Sequence, residues 1–260
     1  MQDFGLVSII TPSYNCAQFI GETIECVLAQ TYNNWELLIT DDCSSDNTRN
    51  IIEDYCRKDK RIKLFLLGKN SGAGIARNNS IERASGRFIA FLDSDDLWLP
   101  YKLERQLSFM HDNDISISYT SSLTCDEAGK VFAFNPAYRR VSFKQICNCD
   151  KCGTTELIYD ASKLGKVLMP PLRKRQDWAF KIILIQKEGY AYGMFDTLSL
   201  YRIRRDSLSR NKFKLIKYNV QVYKDILNHS PIIAWARFLF FFMPSFLMKR
   251  IRHKIANSSL

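Results

Sequence analysis

The chain lacks the compact signatures that mark many nucleotide-binding proteins. No GxGxxG and no Walker A spacing occurs in its 260 residues, which sets aside the dinucleotide fingerprint and the P-loop. No internal repeat and no low-complexity linker divides it. The stretch MQDFGLVSII has neither the basic segment nor the long apolar run of a secretory signal. The 8 cysteines (16, 26, 43, 56, 125, 147, 149 and 152) are scattered except for the last three. Together these point to a reducing, cytoplasmic compartment rather than a disulfide scaffold. Acid is scarce toward the C-terminus: residues 201 to 260 carry 13 Lys and Arg against 2 Asp, so the preceding 200 residues sit near −1 of the total +10. A basic tail on a nearly neutral body calls for a polyanionic partner, nucleic acid or an anionic membrane.

What is present is enough apolar residue, 46%, to fill a substantial core. Over the first 120 residues short β-branched or aromatic runs alternate with helical patterns, the form of an α/β protein with a mostly parallel sheet and crossover helices. Strands are expected at residues 7–11, 35–40, 62–67, 88–92 and 115–119. Phe19, Ile20, Ile24, Val27 and Leu28 fall at helical spacing, as do Ile51, Ile52 and Tyr55 behind Asp46. Beyond Ser121 the pattern loosens: DEAGK reads as a hairpin turn, TTELIYDASKLG as a strand and turn, and a helix runs from about Gln176 to a stop at Gly189. The expected layout is one domain over 1–210, with a nucleotide-binding half at 1–121 and a second half at 122–210, followed by a helical tail at 211–260.

Ligands of such sheets bind at the carboxyl ends of the strands. Those ends read PSYN, DDCSSDNT, GKNSGAGIARN and DSDD. Asp93 and Asp95, two apart on an extended segment, face the same way and suit Mg²⁺ or Mn²⁺, which take their remaining ligands from water and substrate phosphate. The plain alternative is a helix N-cap cluster ahead of LPYKLERQL. Asp41 and Asp42 are placed to accept from a nucleobase or ribose, or else to close an Asx turn. Arg77 lies in a Gly-rich stretch whose small residues let backbone approach a ligand.

VSIITPSYN, LLITDDCSSDNT, NSGAGIARNNSIERASGRFIAFLDSDD and KRQDWAFKI, in that order, resemble the family 2 glycosyltransferases of the GT-A fold over residues 5 to 210. The resemblance implies inverting sugar transfer from a nucleotide-activated donor, usually a UDP-sugar, with a divalent metal, Mn²⁺ or Mg²⁺. It assigns the nucleoside to Pro12, Tyr14, Asn15, Asp41 and Asp42. Arg77 goes near base or phosphate, Asp93 beside the ribose and metal, Asp95 on the metal, and Asp96 at the boundary of donor sugar and acceptor. Asp177 matches the general base, and the first turn of a helix helps keep its carboxylate ionised. YRIRRDSLSRNK resembles a family segment whose cations, among Arg202, Arg204, Arg205 and Arg210, would meet the departing diphosphate; the alternative is a solvated basic face. The competing classes are a nucleotidyltransferase and a non-catalytic nucleotide-sugar binding protein.

The three clustered thiols, Cys147, Cys149 and Cys152, make a poor tetrahedral zinc site without an evident fourth ligand, so a reduced surface loop is expected. Residues 232 to 248 are almost wholly apolar and run into KRIRHK. Arg237 near a bilayer centre would cost about 2.5 to 3.5 kcal/mol, and Pro244 interrupts the run. A helix lying in the membrane interface through residues 231–254 is therefore expected, ahead of one packed on the protein or one spanning the bilayer. Nucleic acid gains little from such a stretch. With a membrane-seeking tail, the resemblance implies a polyprenyl-diphosphate-linked saccharide acceptor at the inner face of a bacterial membrane, as in O-antigen or other surface-polysaccharide assembly, with glucose or galactose as the moved hexose. The +11 charge of residues 201 to 260 leads to the separate expectation that the basic tail attracts the acceptor's diphosphate.

Overall fold

The computed structural model describes residues 2–204 and 212–257; Arg205 and Arg210 lie outside the described residues. The elements are, in chain order, β1 Val7–Ser13, α1 Ile20–Leu28, β2 Trp35–Asp41, α2 Thr48–Lys58, β3 Ile62–Leu66, α3 Ala73–Arg83, β4 Phe88–Phe91, β5 Leu97–Trp98, α4 Lys102–Asp112, β6 Ile117–Cys125, β7 Val131–Asn135, β8 Arg140–Ser142, α5 Phe143–Asn148, β9 Ile158–Asp160, α6 Ala161–Leu164, α7 Gln176–Glu188, β10 Tyr190–Arg202, α8 Lys212–Asp225, α9 Pro231–Arg237, a π-helical turn Phe238–Phe242, and α10 Met243–Ala256.

They build one 10-stranded sheet in the order β3-β2-β1-β4-β9-β6-β10-β5, with β7 added to β6 and β8 to β10. The first four strands are parallel, as the alternating pattern requires. β9 breaks the series, running antiparallel to both β4 and β6. Within TTELIYDASKLG the strand itself is legible, but its seat in the middle of the sheet is set by partners some seventy and forty residues upstream. β6 extends to Cys125, well past the expected end at Tyr119, because DEAGK folds the chain back through β7 and β10 runs alongside.

Period-two alternation sorts the strand residues to the two faces. Val7 and Ile9, Leu37 and Ile39, and Ala90 and Leu92 pack with Ile24, Val27, Leu103 and Leu107 on one side. Ile10, Leu38, Ile89 and Phe91 pack with Trp178, Phe180 and Ile182 of α7 on the other. At the turn into β4 a Cβ on Gly86 would lie 2.6 Å from the Ser8 backbone nitrogen, so only glycine admits that approach.

The C-terminal helices belong to the second of these cores. Trp178, wholly buried, meets Tyr223 edge-on at 5.7 Å and lies 5.4 Å from Phe242. Phe238, Phe242 and Phe246 stack along one helix face at 5.4 and 6.0 Å. Pro244 does not end the helix. The preceding turn is π-helical, with Met243 N donating to Phe238 O five residues back, which absorbs the donor a proline lacks. Residues Pro231–Ala256 thus form one 26-residue helix, long and apolar enough by composition to cross a membrane, yet Ala234, Phe238 and Phe242 are sunk into the protein. Its opposite face leaves Ile232 83% and Phe240 73% exposed.

Candidate active site

β1 and β2 end side by side, Ser13 opposite Asp41, and the loops beyond them are tied together. Asn15, at φ 44, accepts on its side chain from Ser45 N at 2.9 Å while its own N–H donates to Ser44 Oγ at 2.9 Å. Asp41 is fully buried. It accepts from Ser13 Oγ at 3.1 Å, Ser44 N at 2.9 Å, Arg49 Nε at 2.8 Å and the Ser44 hydroxyl. Those four donors fill a carboxylate's capacity. Asp42 accepts from two, Ser71 N at 2.6 Å and Gly72 N at 2.7 Å, and keeps lone pairs to spare. Gly72, at φ +95, gives the turn that presents both N–H groups, in a conformation few other residues adopt. Of the expected nucleoside residues, Tyr14 is the most open.

The DSDD turn follows β4 directly. It is not a helix cap, because β5 intervenes before α4. Asp93 accepts from the Arg77 guanidinium at 2.5 Å and keeps 30% of its side chain open. Burial works against the Arg77 charge, but Asp93, Asp177 and Asp96 overcome it and hold its pKa above the usual value. Asp95, 24% open, lies 3.7 Å from Arg204; burial and the neighbouring Asp93 push its carboxyl up to about 6, against the pull of Arg204.

Asp96 departs from the expectation of a group lining the sugars. It is 0% exposed; one oxygen accepts from Arg202 N at 2.9 Å and the other from Thr155 Oγ1 at 2.5 Å. Burial and the adjacent Asp95 and Asp93 drive its pKa well above the ordinary range. In this arrangement it ties the end of β4 to the end of β10. Arg202 is likewise engaged, donating to Glu22 at 2.6 Å, and the ion-pair partners of Asp93 and Asp95 are Arg77 and Arg204 respectively.

Asp177 sits in the first turn of α7, its side chain 35% open and 4.0 Å from Lys181 Nζ. Burial would raise its pKa, but Lys181, Arg175, Arg77 and the Trp178 N–H together hold it below the usual carboxylate range. Lys181, wholly buried, donates to Asp150 at 2.8 Å, Cys152 O at 2.6 Å and Thr154 Oγ1 at 3.3 Å. The thiol segment is thereby clamped against α7. Cys147, Cys149 and Cys152 are each 2% exposed, which corrects the surface-loop expectation: burial pushes Cys147 up to about 11 and Cys152 up to about 12, values of inert core thiols. Among the described residues no group of three or more His, Cys, Asp or Glu is placed to hold a metal by itself. Asp93 and Asp95 fit Mg²⁺ or Mn²⁺ only as hard-oxygen partners shared with substrate phosphate.

Asp93 and Asp177, from strand end and helix start, line one cavity of about 340 Å³ together with Glu156, Tyr201 and, from α10, Lys249 and His253. Asp95 and Asp96 do not line it. Lys249, His253, Glu156 and Lys181 carry no motif of their own. The spacing of Lys249 and His253 by four, one helix face, was the sole sign available.

Residues 8–164 match the family model for glycosyl transferase family 2. The chain is 41% identical over 222 residues to a Bacillus subtilis glycosyltransferase assigned to teichuronic acid biosynthesis, TuaG, covering 85% of this chain and 88% of that one. It is 39% identical over 229 residues to the Escherichia coli UDP-Glc:α-D-GlcNAc-diphosphoundecaprenol β-1,3-glucosyltransferase WfgD, covering 88% and 89%. The Staphylococcus aureus TarS fragment solved with UDP-GlcNAc superposes with a TM-score of 0.69 at 20% identity, over 88% of this chain and 69% of that one, a likeness of GT-A fold. A mixed sheet with an acid turn after its fourth strand, an ionised carboxylate across the cavity from it, and these relatives agree: the chain belongs to glycosyl transferase family 2 and is a glycosyltransferase.

Proposed function

We propose that the protein transfers a hexose, glucose or galactose, from a UDP-sugar to the sugar of a polyprenyl-diphosphate-linked acceptor, with inversion at the anomeric carbon, during assembly of a bacterial surface polysaccharide such as O antigen. The observation that carries this reading is Asp177, a carboxylate held ionised by Lys181, Arg175 and Arg77 yet one third open to the cavity it shares with Asp93. Asp177 takes the proton of the acceptor hydroxyl as that oxygen attacks the anomeric carbon from the face opposite the diphosphate. Arg77 orients Asp93, and Arg204, 3.7 Å from Asp95, would meet the negative charge that develops on the leaving nucleotide. Pro12, Tyr14, Asn15 and Asp42 line the uridine side, with Asp41 fixing their loops. Asp93 and Asp95 would hold a Mg²⁺ or Mn²⁺ ion, which when bound supplies positive charge at the diphosphate. Arg202 supports the β10 end through Glu22, and Arg210 completes the basic segment.

The diphosphoundecaprenol acceptor and UDP-glucose donor of WfgD support a lipid-linked acceptor and favour glucose. The open apolar face of the 231–256 helix, flanked by Arg250, Lys254 and Arg237, supports peripheral attachment at the cytoplasmic face of the membrane. A screen of UDP-, GDP- and ADP-sugars against a synthetic lipid-diphosphate-linked N-acetylglucosamine, with and without chelator, tests the reading. Transfer from UDP-glucose or UDP-galactose, lost with chelator, is expected. Release of pyrophosphate instead of UDP would replace the transferase reading with a nucleotidyltransferase.

A further inference from the structure

The 340 Å³ cavity reaches from Asp177 to α10, which puts Lys249 and His253 on its wall beside Lys151. Next to it, sharing Pro136, runs an apolar groove of about 450 Å³ lined by Met248, Ile251, Arg252, Ile255 and Ala256. One helix therefore turns a basic edge to the sugar cavity and an apolar edge to the groove. The cations at the junction are held in place. Lys249 Nζ donates to Asp150 O at 2.6 Å, and Arg252 donates to Ala137 O at 2.7 Å while its guanidinium lies 3.7 Å over the Tyr138 ring. Lys249 keeps two N–H groups to give, and Arg252 Nη1 is buried with no hydrogen-bond partner. Burial first, and then the fields of Lys249 and Arg252, push the His253 imidazole down to about 4, so it faces the cavity as a neutral hydrogen-bonding group beside two cations.

We infer that Lys249, Arg252 and His253 form the seat of the acceptor's diphosphate, with the acceptor sugar in the Asp177 cavity and the first isoprene units of the lipid along the Met248, Ile251, Ile255 groove. The inference rests on the proposed lipid-diphosphate acceptor and names the residues that would read it. An acceptor of this kind is a sugar, two phosphates and a hydrocarbon chain in line. The cavity, the cation junction and the groove follow in that order, and the groove opens on the helix whose exposed face is apolar. α10 then serves as part of the acceptor site as well as a membrane contact, so that membrane attachment and acceptor binding use one element.

The test compares two soluble acceptors in detergent with the full chain: farnesyl-diphosphate-linked N-acetylglucosamine, and octyl N-acetylglucosaminide, which lacks the diphosphate. The unaltered protein should prefer the first. In Lys249→Ala/His253→Ala that preference, as a ratio of kcat/KM values, should fall by about tenfold or more, the scale of one or two charge-assisted hydrogen bonds. Lys249→Arg should retain it, which controls for folding through the Asp150 contact, and Ile251→Glu should weaken the farnesyl acceptor against a methyl-diphosphate-linked one. Equal losses with both acceptors, or a raised KM for the UDP-sugar with the preference intact, would overturn the inference alone. Transfer to neither acceptor by the unaltered chain would remove the proposed function and the inference with it.

Discussion

The two ends of the sheet spend their charges differently. At the β1–β4 end the acids come as adjacent pairs in short motifs, and the members of a pair differ: Asp41 is saturated by four donors and Asp96 is sealed from solvent, whereas Asp42 keeps spare lone pairs and Asp93 and Asp95 stay partly open. At the β6–α10 end the charges are single residues gathered from distant parts of the chain around a cavity: Lys181 neutralises Asp150 and lies 4.0 Å from Asp177, while Lys249 is held by the Asp150 carbonyl and keeps its charge. A motif thus identifies a neighbourhood, while hydrogen-bond occupancy separates the residues that hold a site from those free to meet a ligand.

Six substitutions probe that contrast. Asp177→Asn should lower kcat by about 10²- to 10⁴-fold, the contribution of a general base, with donor affinity by calorimetry changed less than about threefold; retained turnover would reassign the base. Phe242→Ala should cost about 3 to 5 kcal/mol in denaturant unfolding. Phe240→Ser, on the open face of the same helix, should stay within about 0.5 kcal/mol yet reduce sedimentation with anionic vesicles. Truncating residues 231–260 is a poorer membrane test, since it would also uncover Trp178.

Within the first acid pair, Asp41→Ala should destabilise by about 2 to 4 kcal/mol because it strands buried donors. Asp42→Ala should instead raise the donor Kd by about tenfold, one good charge-assisted bond. The smallest effect should have the opposite sign. Asp95 binds its proton more tightly folded than unfolded, so folding stability declines as pH climbs from the unfolded value of 3.8 to about 6. Asp95→Asn should remove that decline and raise stability at pH 7 by about 1 to 2 kcal/mol while abolishing transfer. A lower Tm for this variant would show that the acid pair is not in mutual repulsion.

Much of the first half was legible in the sequence because its signals are local. Strand period, helix spacing and the polar run after each strand arise within about ten residues, so β1 to β4, the start of α7 at Gln176 and the DEAGK hairpin lie where the pattern puts them. The place of Asp177 in the first turn of a helix was legible from the apolar pattern that follows it. Asp96 was misplaced because its neighbours in sequence resemble it, whereas its position depends on Thr155 and the Arg202 backbone, far along the chain. The thiols looked like loop residues because the buried lysine that anchors their segment lies about thirty residues downstream.

By itself, then, the order of residues determined the α/β class, the parallel first four strands, the family, and the neighbourhood of the site, since each rests on periodicity or on contiguous motifs. Tertiary structure alone decided that β9 enters the sheet antiparallel, which carboxylate of each pair is spent, and that an apolar tail doubles as a cavity wall. Those outcomes depend on which distant donors reach a given oxygen and which aromatic rings stack on Trp178, and no local pattern records either.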